Sequence, residues 1–232
     1  MLRTLIALPP AAALSFLCAV AGIGAGIVDR SGRWAHRIAR LWGRGLLAML
    51  GVRTSVSGLE HVPAGPAVYA ANHSSMLDIP IAFAALPFDF RFVHKRSLRL
   101  LPLVGWYLFV AGHVAIDRAR RFRAHKSLGG AVQRLRGGAS LAVFPEGTRG
   151  QGRTLQRFKR GGVVLALGAG VPLVPVSLDG VRRVIPHGIF SLRPGHVRVH
   201  VHPAMSIQGR DAADAGDLAE RLREIVAGGL QG

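Results

Sequence analysis

The 232-residue sequence contains a single cysteine, Cys18, and few acidic residues. One cysteine excludes an internal disulfide and fits a reducing compartment. Only 12 residues are Asp or Glu, against 30 Lys and Arg, so the formal net charge is +18. Lysine is also scarce, because only Lys95, Lys126 and Lys159 occur, and arginine therefore carries the excess charge. Such a surface suits anionic partners such as phosphate headgroups, nucleotide phosphates, nucleic acid or an acidic carrier protein.

Two classes of protein are disfavoured by motifs that the sequence does not contain. Aromatic residues make up 6% of the chain and no nucleic-acid-binding motif occurs, which argues against nucleic acid as the partner. No Gly-x-Ser-x-Gly elbow occurs, which argues against a serine hydrolase with Ser74 or Ser75 as its nucleophile. A non-catalytic basic protein that binds a membrane is the remote alternative to an enzyme.

Charge is absent from residues 4–28, a stretch long enough to span a membrane as a helix of about 20 residues. Two prolines and three glycines within it leave a bent or re-entrant segment open. A signal peptide is the alternative, because Ala19-Val20-Ala21 resembles a cleavage site. Only Arg3 precedes this stretch, whereas four arginines follow it within residues 30–40. The positive-inside rule therefore predicts a cytoplasmic or inner membrane protein with its body on the cytoplasmic face.

The next segment, residues 34–50, has the pattern of a basic amphipathic helix. Its large apolar side chains fall on one helical face and its arginines on a neighbouring face; the apolar set is Trp34, Ile38, Leu41, Trp42 and Met49. We interpret it as a helix in the membrane interface, the alternative being a helix that packs on its own domain. The sequence thus predicts a membrane-associating helical segment over residues 1–50 and an α/β domain over residues 51–232.

Apolar strand patterns alternate with helical patterns through the rest of the chain, which predicts an α/β fold with a mixed sheet flanked by helices. Strands are predicted near residues 52–56, 67–71, 91–95, 112–118, 140–144, 171–178 and 196–202. Helices are predicted near residues 79–86, 97–110, 120–136, 161–167 and 214–230. Because Pro172 and Pro175 interrupt the strand at 171–178, that strand is predicted to lie at an edge or to pair irregularly.

The strongest chemical signal is the sequence Asn-His-Ser-Ser-Met-Leu-Asp at residues 72–78, between a predicted strand and a predicted helix. His73 has the chemistry of a general base, and Asp78 could accept a hydrogen bond from its other ring nitrogen and so fix its tautomer. The alternative is purely structural, because Ser75-x-x-Asp78 also matches a capping box. His73 would then be an ordinary hydrogen-bonded histidine in a loop.

Arginine follows two further predicted strands, as Arg118 and as Arg149. A guanidinium group matches a phosphate with two hydrogen bonds, and Gly147 allows backbone N–H groups to approach an anion. Glu146 could accept from a substrate hydroxyl or hold an arginine in position. A surface salt bridge at a loop is the alternative for either arginine.

Four motifs together resemble those of the glycerophospholipid acyltransferases. They are residues 72–78, residues 112–118, the sequence Phe-Pro-Glu-Gly-Thr-Arg at residues 144–149, and residues 171–178. Their order and approximate spacing are those of the family, and the chain is most like a bacterial lysophosphatidate acyltransferase. One departure is Gly150, where the family often has serine.

The resemblance implies acyl transfer to the free hydroxyl of lysophosphatidate, with His73 as base and Asp78 orienting it. It implies that the phosphate-bearing acceptor is bound by Arg118, Glu146, Gly147, Thr148 and Arg149. It also implies acyl-CoA or acyl-carrier protein as co-substrate, with neither metal nor bound cofactor. Lyso-ornithine lipid and other lysophospholipids are the alternative acceptors.

Two other clusters have competing interpretations. His196, His200 and His202 share a strand face, which is more typical of an exposed surface than of a metal site. The basic run over residues 118–126 could contact an acidic carrier protein or the phosphates of CoA, or it could be a solvated basic face.

Overall fold

A computed structural model describes residues 2–117, 121–148, 155–186 and 191–231, and side chains within them except those of residues 2–5 and 121–127. The helices are α1 (Leu2–Val28), α2 (Arg33–Met49), α3 (Asp78–Ala85), α4 (Val104–Val110), α5 (Arg121–Arg136), α6 (Gly161–Ala169), α7 (Val181–Val184) and α8 (Ala215–Gly228). The strands are β1 (Val52–Ser57), β2 (Val68–Ala71), β3 (Phe90–Lys95), β4 (Val114–Ile116), β5 (Ser140–Val143), β6 (Leu173–Asp179) and β7 (Gly195–Val201). Short 3₁₀ helices cover Leu59–His61 and Arg96–Leu100.

These strands form one seven-stranded sheet in the order β1-β7-β6-β2-β5-β3-β4. Strands β2 to β6 all run in one direction, and β7 pairs antiparallel with β6 and parallel with β1. The prediction of a mixed sheet flanked by helices is confirmed. Because five strands are parallel, their carboxyl ends meet at one edge of the sheet, where ligands of α/β proteins usually bind.

Apolar side chains cover both faces of the sheet, as expected for a parallel arrangement. One face packs against α2 and α3 through residues such as Ile81, Phe83 and Phe90. The other packs against α5, α6 and α8 through residues such as Leu135, Leu165 and Leu222. The helix predicted near residues 214–230 is therefore confirmed, and its apolar face closes the second core layer.

Strand β6 lies in the interior of the sheet, so the prediction of an edge strand is wrong. Its prolines are tolerated because Pro172 precedes the strand and because the one backbone polar group of Pro175, its carbonyl, is directed toward the residue that follows β7. The carbonyl of Pro175 accepts from the N–H of His202 at 3.0 Å. Regular pairing between β6 and β7 begins with Val176 opposite Val201. Pro175 lies one residue before that pairing, so its lack of an N–H removes no hydrogen bond from the regular ladder. The alternative prediction, irregular pairing, therefore fits the part of β6 around Pro175 that faces β7.

Helices α1 and α2 form an antiparallel hairpin on the domain. Small residues of α2, among them Ala35, Ala39 and Gly43, are buried, and Gly43 lies against the backbone of α3. On the side toward α1, the indole N–H of Trp42 donates to Ser15 Oγ at 2.9 Å. Helix α2 thus packs on its own domain, and part of the apolar face predicted for the membrane interface remains exposed, namely Trp34, Leu41 and Met49.

A buried histidine lies where this hairpin meets the sheet. The ring of His36 makes edge-to-face contacts with Phe83 and Phe90, whose ring centroids are 5.4 and 4.8 Å away. Its Nδ1 is 3.3 Å from Asp89 Oδ1, and Arg91 neutralises the same carboxylate at 2.6 Å. Burial lowers the pKa of His36 to about 4, outweighing the attraction of Asp89 that raises it, while Arg91 and Arg40 lower it further.

We predict that His36→Leu flattens the pH dependence of stability. Below the unfolded pKa of 6.5 the unfolded chain binds a proton that the folded His36 does not bind until about pH 4. The free energy of unfolding of the parent therefore falls as pH drops through this window, by up to about 1.4 kcal/mol per pH unit for this group. Denaturant unfolding of the detergent-solubilised chain at several pH values measures the slope. His196→Leu, at an exposed histidine, is the matched control and should leave the slope unchanged; an unchanged slope in His36→Leu would contradict the assignment.

Candidate active site

His73 directly follows β2 at the carboxyl edge of the sheet, and its Nδ1 lies 2.8 Å from Asp78 Oδ2. Asp78 begins α3 and is completely buried. The same carboxylate oxygen accepts from the backbone N–H groups of Ser74 at 2.7 Å and Ser75 at 2.8 Å. Three donors to one carboxylate oxygen satisfy this buried group and fix it in position. The proposed base and its orienting acid are therefore brought together.

The capping interpretation and the orienting interpretation hold simultaneously. Asp78 reaches back to the N–H of Ser75, as a capping box requires. The hydroxyl of Ser75 instead accepts from Leu77 N–H at 3.2 Å, so the reciprocal half of the box is displaced by one residue. The turn that starts α3 thus folds His73 back onto the first residue of that helix.

The imidazole is held in one orientation while one nitrogen stays available. With Nδ1–H donating to Asp78, the lone pair of Nε2 points away, and Nε2 makes no hydrogen bond within the described residues. One face of the His73 ring stacks on Phe144, with centroids 4.1 Å apart and planes inclined by 15°. Phe144 stacks in turn on Phe92 at 5.5 Å. The side chain of His73 is only 16% exposed, so a substrate hydroxyl would meet it in a largely desolvated position.

Asn72 anchors the end of β2 to β6, a contact that the sequence interpretation missed. Its Nδ2 donates to the carbonyl of Leu178 at 3.0 Å, and its Oδ1 accepts from the N–H of Leu178 at 2.8 Å. Strand β2 ends at Ala71, so the buried amide side chain continues the ladder where the backbone of β2 stops. The only signal in the sequence is the amide residue directly before His73.

Glu146 anchors the same strand end from the other side. Its Oε1 accepts from the N–H of His73 at 2.6 Å, and its Oε2 accepts from the N–H of Gln156 at 3.2 Å. Burial raises the pKa of Glu146, and these two backbone hydrogen bonds oppose the shift. Its carboxylate therefore holds His73 and the following loop, and its predicted role in binding substrate stays a prediction.

The remaining predicted acceptor-binding residues lie partly beyond what is described. Gly147 has φ +77°, which favours glycine, and its N–H closes a turn onto the carbonyl of Phe144 at 3.1 Å. Thr148 is exposed, with its Oγ1 3.4 Å from Gln156 Oε1. Both residues follow β5 at the same edge as His73. Arg118 and Arg149 lie outside the described residues, so their phosphate-binding roles stay predictions.

Two of the three histidines on the β7 face make structural contacts. His200 Nδ1 lies 2.8 Å from Ser57 Oγ, and His202 Nε2 lies 2.7 Å from Ser177 Oγ. His196 is exposed. Burial lowers the pKa of His202 to about 4, and the neighbouring His200 and His61 lower it further. Within the described residues, no group of three His, Cys, Asp or Glu side chains has the geometry to hold a metal ion.

A family model described as Acyltransferase matches residues 53–179. The chain is 37% identical over 198 residues to a 1-acyl-sn-glycerol-3-phosphate acyltransferase of Chlamydomonas reinhardtii, covering 84% of this chain and 58% of that protein. It is 33% identical over 179 residues to a 1-acyl-sn-glycerol-3-phosphate acyltransferase of Pseudomonas aeruginosa, covering 76% of this chain and 68% of that protein.

A solved structure matches the whole fold. The crystal structure of the 1-acyl-sn-glycerophosphate (LPA) acyltransferase PlsC from Thermotoga maritima aligns with a TM-score of 0.77 and 27% identity, covering 98% of this chain and 95% of that chain. The chain spans about half the length of the curated algal and plant relatives that it matches.

We predict that Glu146→Gln lowers the free energy of unfolding by about 1–3 kcal/mol. The glutamine side chain has one acceptor oxygen, so it can accept from only one of the N–H groups of His73 and Gln156. The other N–H then faces the side-chain NH₂ group, which is also a donor, in a buried position. Denaturant unfolding in detergent measures the loss. Glu60→Gln, at an exposed carboxylate, is the matched control and should change stability little; equal stability of the two variants would contradict the role assigned to Glu146.

Proposed function

This chain belongs to the acyltransferase family, whose model spans residues 53–179, and on that basis we propose that it transfers a fatty acyl group to lysophosphatidate to give phosphatidate in phospholipid biosynthesis. Family membership confirms the resemblance carried by the four motifs. The full activity, the acceptor and the acyl donor are proposals for this chain. The observation that carries them is the His73–Asp78 pair at the carboxyl edge of the sheet, with Nε2 free of any described hydrogen bond.

The proposed reaction is direct transfer from a thioester to an alcohol. His73 Nε2 accepts the proton of the acceptor hydroxyl while that oxygen attacks the thioester carbonyl carbon. The tetrahedral intermediate collapses with cleavage of the carbon–sulfur bond, and the leaving thiolate takes the proton from the imidazolium. An ester and a thiol are formed, so the balance requires neither an oxidant nor a cofactor. General-base catalysis of this kind contributes roughly 10²–10⁴ in rate.

Asp78 is proposed to stabilise the imidazolium that forms in this step. Its charge lies 2.8 Å from Nδ1 and cannot rotate away, because Ser74 N–H and Ser75 N–H hold the same oxygen. The carboxylate therefore needs no reorganisation when the positive charge develops. Phe144, stacked on the ring at 4.1 Å, presents its π face to the same cation.

The acceptor is proposed to be a lysolipid with an anionic headgroup. Arg118 and Arg149, with Gly147 and Thr148, are the residues we propose for its phosphate. Glu146 directly precedes Gly147 and Thr148 and holds the backbone of Gln156. Acyl-CoA or acyl-carrier protein is proposed as the donor, because both present a thioester on a phosphate-bearing carrier that suits a chain of net charge +18. Other lysophospholipids and lyso-ornithine lipid are the alternative acceptors.

We propose that the chain works at the cytoplasmic face of the inner or cytoplasmic membrane. Within the described residues, one helix segment, Ile6–Val28, is long and apolar enough to cross a membrane. The arginines that follow it favour a cytoplasmic body. A membrane location would place the site beside substrates whose acyl chains remain in the bilayer.

A serine nucleophile gains no support from the site. The hydroxyl of Ser74 lies 3.5 Å from Asp78 Oδ1, and that of Ser75 accepts from Leu77 N–H. Neither hydroxyl has a described hydrogen bond to His73 Nε2, which a serine–histidine pair requires.

We predict that His73→Ala lowers kcat for acylation of lysophosphatidate by roughly 10²–10⁴ or more, because the hydroxyl loses its base. Product formation from a labelled acyl donor, identified by mass, measures the effect. Membrane association should be unchanged, and the unfolding midpoint should fall modestly, because buried Asp78 loses one of its three hydrogen-bond donors. His196→Ala is the matched control and should retain activity; wild-type turnover by His73→Ala would refute the proposed mechanism.

A further inference from the structure

An exposed apolar patch follows β3, and we call it the 98–109 patch after the residues it spans. It contains large hydrophobic side chains that are between 38% and 83% exposed, namely Leu98, Leu100, Leu101, Val104, Trp106 and Phe109. Leu100 is 83% exposed and Phe109 is 67% exposed. Isolated apolar residues are normal on a protein surface, but a contiguous group of this kind marks an interaction site.

The backbone that presents the patch is strained. Leu103 has φ +61° and ψ −58°, and it is the one non-glycine residue with positive φ in the described part of the chain. Val104 N–H donates to the carbonyl of Pro102 at 2.7 Å, which closes a γ-turn of the rare type with positive φ. Gly105 then passes so close to Arg99 that a Cβ would lie 2.2 Å from the Arg99 carbonyl oxygen. Strain of this kind is retained where a functional arrangement requires it.

The patch is continuous with the apolar helix α1. Gly22 and Gly26 of α1 lie against Tyr107 and Val110 of α4, at distances where a Cβ would be within 3 Å of either side chain. The outer face of α1 is itself apolar and exposed, through Phe16, Leu17, Val20 and Ile27. The two apolar surfaces therefore belong to adjoining helices, one of which has the length and composition to enter a membrane.

Basic side chains border the patch on the side of the active site. Lys95 ends β3 at the carboxyl edge of the sheet, and Arg96 and Arg99 follow it, all exposed. The guanidinium of Arg99 lies 5.6 Å from the ring centroid of Phe109. A tryptophan beside exposed leucines and arginines is the composition of a surface that lies in the headgroup region of a bilayer. Juxtamembrane cations of this kind are attracted to anionic lipid.

We propose that the 98–109 patch is a second membrane contact, additional to α1, and that it inserts shallowly into an anionic leaflet. Lys95, Arg96 and Arg99 bind lipid phosphates there, while Trp106 and Phe109 enter the acyl boundary. Because the patch starts at the end of β3, its insertion holds the edge that carries His73 at the lipid surface. The inference deepens the proposed function, but lipid contact by the patch can be measured without turnover.

The test uses the full chain with Trp34→Phe and Trp42→Phe, which leaves Trp106 as the only tryptophan. The protein is transferred from detergent to vesicles of phosphatidylglycerol and phosphatidylcholine, with and without bromine on the acyl chains. We expect Trp106 emission to shift to the blue and to be quenched by brominated lipid. Adding Leu100→Ser and Phe109→Ser should reduce this quenching by about half or more, while α1 keeps the protein on the vesicles. Leu59→Ser, at an exposed leucine outside the patch, is the matched control and should leave quenching unchanged.

A second label avoids dependence on the tryptophan background. In a Cys18→Ser, Phe109→Cys variant, the new cysteine is labelled with a polarity-sensitive fluorophore. The label should report an apolar environment on anionic vesicles. Adding Lys95→Gln and Arg96→Gln should weaken that response. Emission that stays solvent-like in both probes on vesicles would overturn the proposal. A blue shift that depends on protein concentration without lipid would also overturn it, because the patch would then bind a second copy of the chain. If the parent chain shows no acyl transfer but Trp106 is still quenched by brominated lipid, the proposed function is rejected and the membrane contact of the patch is retained.

Discussion

The carboxylate of Asp78 is the contact on which the site depends. It is completely buried at the start of α3, and one of its oxygens accepts from His73 Nδ1, Ser74 N–H and Ser75 N–H. A buried carboxylate is costly unless it is fully hydrogen-bonded, so the turn after β2 has little freedom to adopt another shape. The same three bonds that satisfy the charge also point His73 Nε2 away from the core. The folding requirement and the geometry proposed for catalysis therefore have one cause.

The end of β2 is held on both sides by side chains rather than by backbone. Asn72 bonds to the backbone of Leu178 on β6, and Glu146, which follows β5, bonds to the N–H of His73. A strand that simply ended at Ala71 would leave those backbone groups unpaired in a buried place. The two side chains continue the ladders by one residue on each side. His73 is consequently part of a rigid sheet edge although it lies outside the strand itself.

The local part of this arrangement was predictable and the long-range part was not. The strand, the turn and the helix around His73 and Asp78 follow from apolar runs and a five-residue spacing. Asn72 and Leu178 are 106 residues apart, and their bond depends on β6 lying next to β2. Single-strand patterns contain no information about strand order, which is also why two prolines suggested an edge position for β6. The pairing of Glu146 with His73 escaped prediction for the same reason, since a carboxylate in a loop has the same sequence signal whether it binds substrate or backbone.

The hairpin of α1 and α2 constrains how the domain meets a membrane. Helix α1 contacts α2 through Trp42 and Ser15, and it contacts α4 through Gly22 and Gly26. These contacts lie along its length, so α1 has a fixed orientation relative to the sheet in this structure. Any lipid that covers the exposed face of α1 is therefore brought to a defined side of the domain. The carboxyl edge of the sheet reaches that side through the segment after β3, so one rigid unit links apolar anchoring to the position of His73.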